Sequence, residues 1–405
     1  MKRIFTLTLA MLLAGCSQNP VEGDPAKTTE GDTATTSLPV NGVTDDEVLI
    51  GGMLDLSGPF AAFSVPAVAA ANQYFETVNA AGGVHGRKIR YIVEDHAYQV
   101  PKAVQAANKL VTRDKVFAML LNVGTAHNMA AFPVLDNNDV PNVIPLSLAM
   151  PMQTEGDFSR RFTIGSTYYQ TMKAGMKYII EKDNVTKLCT MYFPSDFGEE
   201  THQAAKELAA EINTLELVEV STHRPDETDM SGTLAKMREA DCGLVAVALT
   251  VRPSIGVVAT AKSMGWDEAK FIVPISSFHS AVSGAPGGIT EGLYAVSLWE
   301  DLDILKANPK TAEWIANYKQ ANGEEPNTGA AIGYLGAKIL VEGLEAAGPT
   351  LNADSLAKGI ETVNIDDDVI NAHIGMSADN HAAVTQAYLS QVVDSQWQTV
   401  AKIIE

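Results

Sequence analysis

Apolar residues along this chain fall into short runs separated by helical stripes. Val48 to Leu54 is a near-continuous apolar run, the pattern of a strand buried on both faces, and the turn Ser57-Gly58-Pro59 follows it. Val68, Ala71, Phe75 and Val78 then recur at spacings of three and four, which predicts a helix with one apolar face. Gly82 and Gly83 stop that helix, and Lys88 to Glu94 reads as a second strand ending at Asp95. Two strands joined through a helix run parallel with a right-handed crossover, so Val48 to Gln99 predicts a βαβ unit.

The alternation continues. Val104, Ala107, Leu110 and Val111 mark a helix, Val116 to Asn122 a strand, Gly124-Thr125 a helix start, and Asn142 to Leu146 a strand. Arg161 to Gly165 reads as the crossing into a second lobe. There Met172, Met176 and Ile179 define a helix, Lys187 to Phe193 a strand, Ala205, Leu208 and Ile212 a helix, and Leu217 to Thr222 a strand. Gly243 to Thr250 and Phe271 to Ile275 extend the sheet, which predicts a doubly wound α/β lobe. Gly292 to Trp299 returns the chain, two helices around Trp314 with Tyr318 and around Ile332, Leu335 and Ile339 complete lobe one, and Val369 to Ile404 reads as terminal strands.

Three segments resemble the leucine/isoleucine/valine-binding family, the type I periplasmic solute receptors of ABC importers: LSGPF from Leu56 to Phe60, NAAGGVHGRKI from Asn79 to Ile89, and VEDHAYQVPKAVQAANKLV from Val93 to Val111. The resemblance runs to about Ile365. It implies two doubly wound lobes joined by a three-strand hinge, with residues 46–166 and 298–366 in lobe one and 167–297 and 367–405 in lobe two. It also implies a monomer that closes on a small-molecule ligand and delivers it to the membrane subunits of an ABC permease, without cofactor or metal. The family topology makes the strands beginning near Cys189 and Cys242 neighbours, leaving either a disulfide or two buried thiols.

Composition adds the compartment. The chain has 405 residues, 46% of them hydrophobic, enough for two domains. Met1 to Gly15 carries Lys2 and Arg3 ahead of the apolar run Ile4 to Leu13, the pattern of a secretion signal. Leu13-Ala14-Gly15-Cys16 resembles a bacterial lipobox, which would make Cys16 a lipidated first residue and the membrane anchor. Residues 16–45, rich in Thr, Gly, Pro, Asp and Glu, read as a tether. The formal charge of −20 becomes −22 when Lys2 and Arg3 are removed with the signal, which disfavours nucleic acid.

In open α/β sheets ligands bind beyond the carboxyl ends of the strands, so the candidate site residues lie on those loops. Asn122, Gly124 and Thr125 offer a glycine for close backbone approach and a hydroxyl at a helix start, a cradle for an anion or a simple N-cap. By resemblance this loop and the loop of Ser147 and Ala149 grip a ligand carboxylate, and Phe63 and Phe197 flank the ligand. Ser57, Tyr98, Tyr168, Thr250 and Arg252 complete the loop set, with Arg252 a candidate carboxylate partner or a solvated helix-start residue. Asp55 and Asp95 accept hydrogen bonds from ligand or from the turns they stand in. Phe60 reads as structural. Where amino-acid receptors of the family place an acid to hold the ligand's ammonium, this chain has Ile275-Ser276-Ser277-Phe278. A buried ammonium without an anionic partner is costly, so the expected ligand is a small apolar or aromatic carboxylate or amide ahead of an amino-acid-like one, which stays open. The rival readings are a ligand sensor for a membrane signalling partner and a binder of larger lipid-like cargo. No G-x-S-x-G, H-E-x-x-H or P-loop motif occurs, which argues against an enzyme, and the eight histidines are dispersed, His279 being the one of interest.

Overall fold

A computed structural model describes residues 40–405 apart from Asp226. The signal, Cys16 and nearly all of the tether lie outside the described residues.

The chain opens as the apolar pattern predicts. β1 (Glu47–Leu54), α1 (Ala61–Ala80) and β2 (Lys88–Asp95) form a βαβ unit whose strands pair in parallel from Glu47 with Lys88 to Leu54 with Asp95. Then come α2 (Val100–Asn108), β3 (Ala118–Leu120), α3 (Thr125–Asp136), β4 (Asn142–Val143), the single turn α4 (Pro151–Thr154) and β5 (Arg161–Gly165). β3 and β4 are shorter than their apolar runs. Beyond β4 the backbone leaves the ladder, and Leu146 meets Val123 through one isolated parallel bridge.

The second lobe repeats the theme with α5 (Tyr168–Asp183), β6 (Lys187–Tyr192), α6 (Asp196–Glu211), β7 (Glu216–Thr222), α7 (Ser231–Glu239), β8 (Leu244–Ala248), α8 (Val251–Ser263), β9 (Lys270–Val273), the short α9 (Ser280–Ser283) and β10 (Tyr294–Ser297). Four helices follow, α10 (Leu302–Leu305), α11 (Pro309–Asn322), α12 (Thr328–Ala347) and α13 (Ala353–Ile360). Of these, α12 packs along α1 and so belongs with the first sheet. The chain ends with β11 (Asn364–Asp367) and β12 (Ala372–Gly375), which form their own hairpin, then β13 (Ala382–Val384), β14 (Ala387–Val393) and β15 (Gln396–Ile404).

Two sheets result. The first runs β13-β5-β4-β3-β1-β2, parallel throughout; the second runs β15-β14-β10-β9-β8-β6-β7, parallel except for the antiparallel β14 and β15. Strands covered on both faces by helices are apolar along their length, as in β8, where Leu244, Val245, Ala246, Val247 and Ala248 are all buried. The terminal segment does not all join lobe two, because Ala382–Val384 finds the open edge of β5 and completes the first sheet. The chain passes between the sheets after β5, after β10 and after β13. These passages touch: Ser166 N–H donates to Val384 O at 3.1 Å, and a Cβ on Gly165 would lie 2.3 Å from Val384 O and 2.6 Å from Leu298 Cδ1.

The bond between Cys189 and Cys242 crosslinks the second lobe, with 5.9 Å between the Cα atoms. Residue 189 lies in β6, and residue 242 stands two positions before β8, its parallel neighbour.

Candidate functional site

The carboxyl ends of the strands of both sheets converge on one apolar cavity of about 40 Å³, a few water volumes. Phe60 and Phe63 reach it from the turn after β1 and the start of α1, Val123 and Leu146 to Leu148 from the loops after β3 and β4, and Ile164 from β5. Tyr168 enters from the start of α5, Ile275 and Ser276 from the turn after β9, and Ile332 from α12. Lobe one, lobe two and the hinge all contribute. The only polar side chains in this lining are Ser147, Tyr168 and Ser276, and none is charged.

Gly124 shapes the first-lobe side. Its φ of +91° is open to glycine and rarely to other residues, and a Cβ there would fall 2.4 Å from His127 Nδ1. This turn starts α3 with no side-chain cap on its first N–H groups. Beside them, buried Thr125 and Ser147 join their hydroxyls at 2.8 Å. Hydroxyls and uncapped N–H groups at a helix start suit a carboxylate. Burial raises the Tyr168 hydroxyl well above the usual phenol range, keeping it a neutral donor.

The second-lobe side is different. Ser276 is 8% exposed and its Oγ has no protein partner among the described residues. Its neighbour Ser277 is fully buried and satisfied, with Ser254 Oγ at 3.0 Å and Leu249 O at 3.2 Å. Buried hydroxyls are ordinarily paired, so Ser276 is the exception in the lining.

The remaining sequence candidates separate into three groups. Phe197, Tyr98, Thr250 and Ala149 stand behind the lining: Phe197 packs edge-on against Tyr168 at 4.9 Å, Tyr98 packs against Phe60 at 4.5 Å with the rings tilted by 35°, and Thr250 and Ala149 are buried. Asn122 belongs to the interior, because it is fully buried outside the cavity lining and its side chain accepts from Met53 N–H at 2.8 Å and donates to Asn142 Oδ1 at 2.9 Å. Ser57 and Arg252 are exposed. The Ser57 hydroxyl donates to Asp95 Oδ2 at 2.6 Å, and Arg252 makes no hydrogen bond or ion pair among the described residues. Asp55 and Asp95 serve their own turns, Asp55 accepting from Gly58 and Phe60 N–H and Asp95 from Leu56 and Ala97 N–H.

Sequence reasoning set Phe60 aside and missed Ile164 and Ile332. Phe60 lines the cavity while packing against Tyr98. Ile164 sits on a hinge strand and Ile332 on a helix that follows the second lobe in sequence; the apolar period marks both as buried, and only the fold turns them to the site. His279 closes the rim: its Nε2 lies 3.0 Å from Asn327 Nδ2 and 3.4 Å from Ala62 O, so a second-lobe loop touches the first lobe.

Behind Gly124, His96 and His127 stack at 4.6 Å. Burial, and then the neighbouring His127, push the His96 imidazole down to about 4, and burial lowers His127 as well. Among the described residues no group of three or more His, Cys, Asp or Glu side chains is placed to hold a metal ion.

Two doubly wound lobes closed on an apolar, hydroxyl-bearing cavity define a clamshell receptor for a small molecule. Residues 47–396 match the family model described as periplasmic binding protein, and the chain belongs to that family, in its type I, Leu/Ile/Val-binding form. It is 24% identical over 294 residues to the leucine-, isoleucine-, valine-, threonine- and alanine-binding protein of Pseudomonas aeruginosa, a span of 72% of this chain and 76% of that one. The fold is shared with a fatty acid ABC transporter substrate-binding protein from Thermomonospora curvata, at TM-score 0.80, 23% identity and coverage of 90% of this chain and 94% of that one. It is shared as well with a solute-binding protein of R. palustris in complex with benzoate, at TM-score 0.79, 18% identity and coverage of 88% and 96%. The chain is a solute-binding protein.

Proposed function

We propose that this is a lipid-anchored, extracytoplasmic, monomeric receptor that hands a small apolar or aromatic carboxylate, or its amide, to an ABC permease. The observation that carries the ligand class is the cavity lining: apolar walls, three hydroxyls and no charged side chain. In this reading Thr125, Ser147 and the start of α3 take the carboxylate. Phe60, Phe63, Ile164, Ile275 and Ile332 enclose the body, with Tyr168, backed by Phe197, at its flank. Ser276 hydrogen-bonds an uncharged polar group at the far end, such as a hydroxyl or an amide. An α-ammonium would meet no anion in the lining and would bear its full desolvation cost.

Two neighbours in fold support this class, since their titles name a fatty acid and benzoate, whereas the Pseudomonas aeruginosa relative is named for amino acids. Burying about 250 Å² of apolar ligand surface is worth about 6 kcal/mol before ordering costs, enough for useful affinity without an ion pair. The lobes have to part for such a ligand to enter, and its contacts with both lobes then favour the closed form. Residues 46–166 with 298–366 remain our proposal for lobe one, with 382–384 added to its sheet. Residues 367–381, expected in lobe two, go with lobe one, since their strand β12 pairs with β11 and Asp367 bonds Tyr334 and Lys338 of α12; 167–297 with 385–405 form lobe two, and 1–15 and 16–45 are signal and tether, anchored at Cys16.

A thermal-shift screen of residues 44–405 against benzoate, hydroxybenzoates, branched aliphatic acids, their amides, leucine and phenylalanine tests the ligand class. A ligand of the native state raises the midpoint. The expected result is a shift with acids or amides and none with the amino acids; a shift with leucine or phenylalanine alone overturns the reading.

A further inference from the structure

Glu200 is a buried carboxylate that the ligand site does not use. It stands in the second turn of α6, in the second lobe, and is 7% exposed. One oxygen accepts from the backbone N–H of Met150 and the other from that of Tyr169, the latter at 3.1 Å. Met150 follows the loop that carries Ser147 and belongs to the first lobe, while Tyr169 follows Tyr168 where the chain leaves the hinge. One side chain of the second lobe therefore holds, within three residues on either side, both hydroxyl-bearing segments of the cradle.

We propose that Glu200 is a positioning residue that ties the Ser147 loop to the hinge exit at Tyr168, so that lobe closure and the shape of the ligand cradle are set together. The tie does not depend on which ligand binds. It is also titratable. Burial pushes the Glu200 carboxyl up to about 7, outweighing the two N–H donors that pull it down, and Asp196 on its own helix adds to the rise. The elements packed against α6 also carry Tyr168, Tyr169, Lys173, Lys177, Tyr178, Glu181, Lys182 and Asp183 on α5, His127 and Asp136 on α3, Lys187 and Tyr192 on β6, and Glu216 and Glu219 on β7, with Lys173 paired to Glu207 and Glu211 of α6 itself. In this proposal, parting the lobes gives water access to the carboxyl and returns it towards its ordinary value near 4.5. The closed form then binds the proton more tightly than the open form, so closure strengthens as pH falls through 7 and levels off below the open-form value. Between pH 8 and pH 6 the closed-to-open ratio rises about tenfold.

The Met150 amide reports closure directly, because its acceptor is in the other lobe. Hydrogen exchange at single-residue resolution on the ligand-free full chain, corrected for the intrinsic pH dependence of exchange, measures that ratio. Wild type is expected to gain about tenfold protection at Met150 from pH 8 to pH 6. Glu200→Gln, which cannot take up the proton, is expected to lose the pH response altogether. Equal protection in the two proteins at both pH values overturns the proposal, as does a pH response that survives in Glu200→Gln. If the variant does not fold, wild type decides alone: flat protection at Met150 between pH 8 and pH 6 overturns it. A purely structural carboxylate would change stability without moving this pH profile.

Discussion

Ser276 and Ser277 are adjacent, buried and chemically identical, yet replacing each by alanine should act in opposite directions. Ser276 Oγ has no protein partner among the described residues, so the folded protein carries its desolvation cost. Removing that hydroxyl should stabilise the ligand-free protein by about 1 kcal/mol. At about 2.1 cal/mol/K per residue, the unfolding entropy of a chain this long is near 0.8 kcal/mol/K, so the midpoint should rise by about 1 °C. Ser277 bonds Ser254 Oγ and Leu249 O, tying the β8 and β9 loops together. Its loss strands those partners and should cost about 1 to 2 kcal/mol, lowering the midpoint by a similar number of degrees. Ligand affinity reverses the order. With a ligand from the thermal-shift screen that carries a second polar group, Ser276→Ala should weaken binding about tenfold, while Ser277→Ala should leave it within a factor of two. Scanning calorimetry and titration calorimetry on the two variants decide the matter. If Ser276→Ala destabilises the free protein as much as Ser277→Ala and leaves affinity untouched, Ser276 is not a ligand contact.

Gly124→Ala should cost about 3 kcal/mol in chemical unfolding, from the positive φ and the approach to His127 Nδ1, and should abolish binding of any carboxylate hit; a change below 1 kcal/mol would mean the turn relaxes freely. His96, held near 4 in the folded protein against its ordinary 6.5, contributes stability that is present above 6.5 and lost as pH falls towards 4. Urea unfolding should therefore show up to about 3 kcal/mol of acid destabilisation in that window, blunted in His96→Gln, and an identical profile in the variant would remove His96 from the account. Replacing Cys189 and Cys242 together by serine, which opens a crosslink across a sequence separation of 53, should cost about 4 kcal/mol on the chain-entropy model and leave ligand selectivity unchanged, as chemical unfolding and the same ligand screen would report.

The fold was legible where periodicity and punctuation agreed. Val48 to Leu54, the Gly82-Gly83 stop and the strand to Asp95 appear where the pattern puts them, because apolar strands covered on both faces leave little choice of register. The terminal strands were only partly legible. Ala382–Val384 is a three-residue run whose partner is set by an open edge at β5 more than two hundred residues earlier, and no local pattern carries that information. Within the site, Phe63, Ser147, Tyr168 and Ser276 could be named because they sit just beyond strand ends. Ser57, Asn122 and Ser277 stand equally close to strand ends, but their side chains turn to Asp95, to Met53 with Asn142, and to Ser254 with Leu249. Spacing fixes where a polar residue stands; it does not fix which neighbour claims its hydrogen bonds.

The edge strand Ala382–Val384 also orders events during synthesis. The first sheet is begun by β1 and closed on its other edge by residues made more than two hundred positions after β5, and α12, which packs on α1, also comes after the second lobe. The nascent first lobe therefore waits, with β5 unpaired on one side, while the whole of the second lobe is made. Such an edge is a template for wrong strands, and long-range closure is slow. A product truncated just before residue 382 would lack the edge strand of one sheet and the two antiparallel strands of the other, so a single late stop would leave both lobes unfinished.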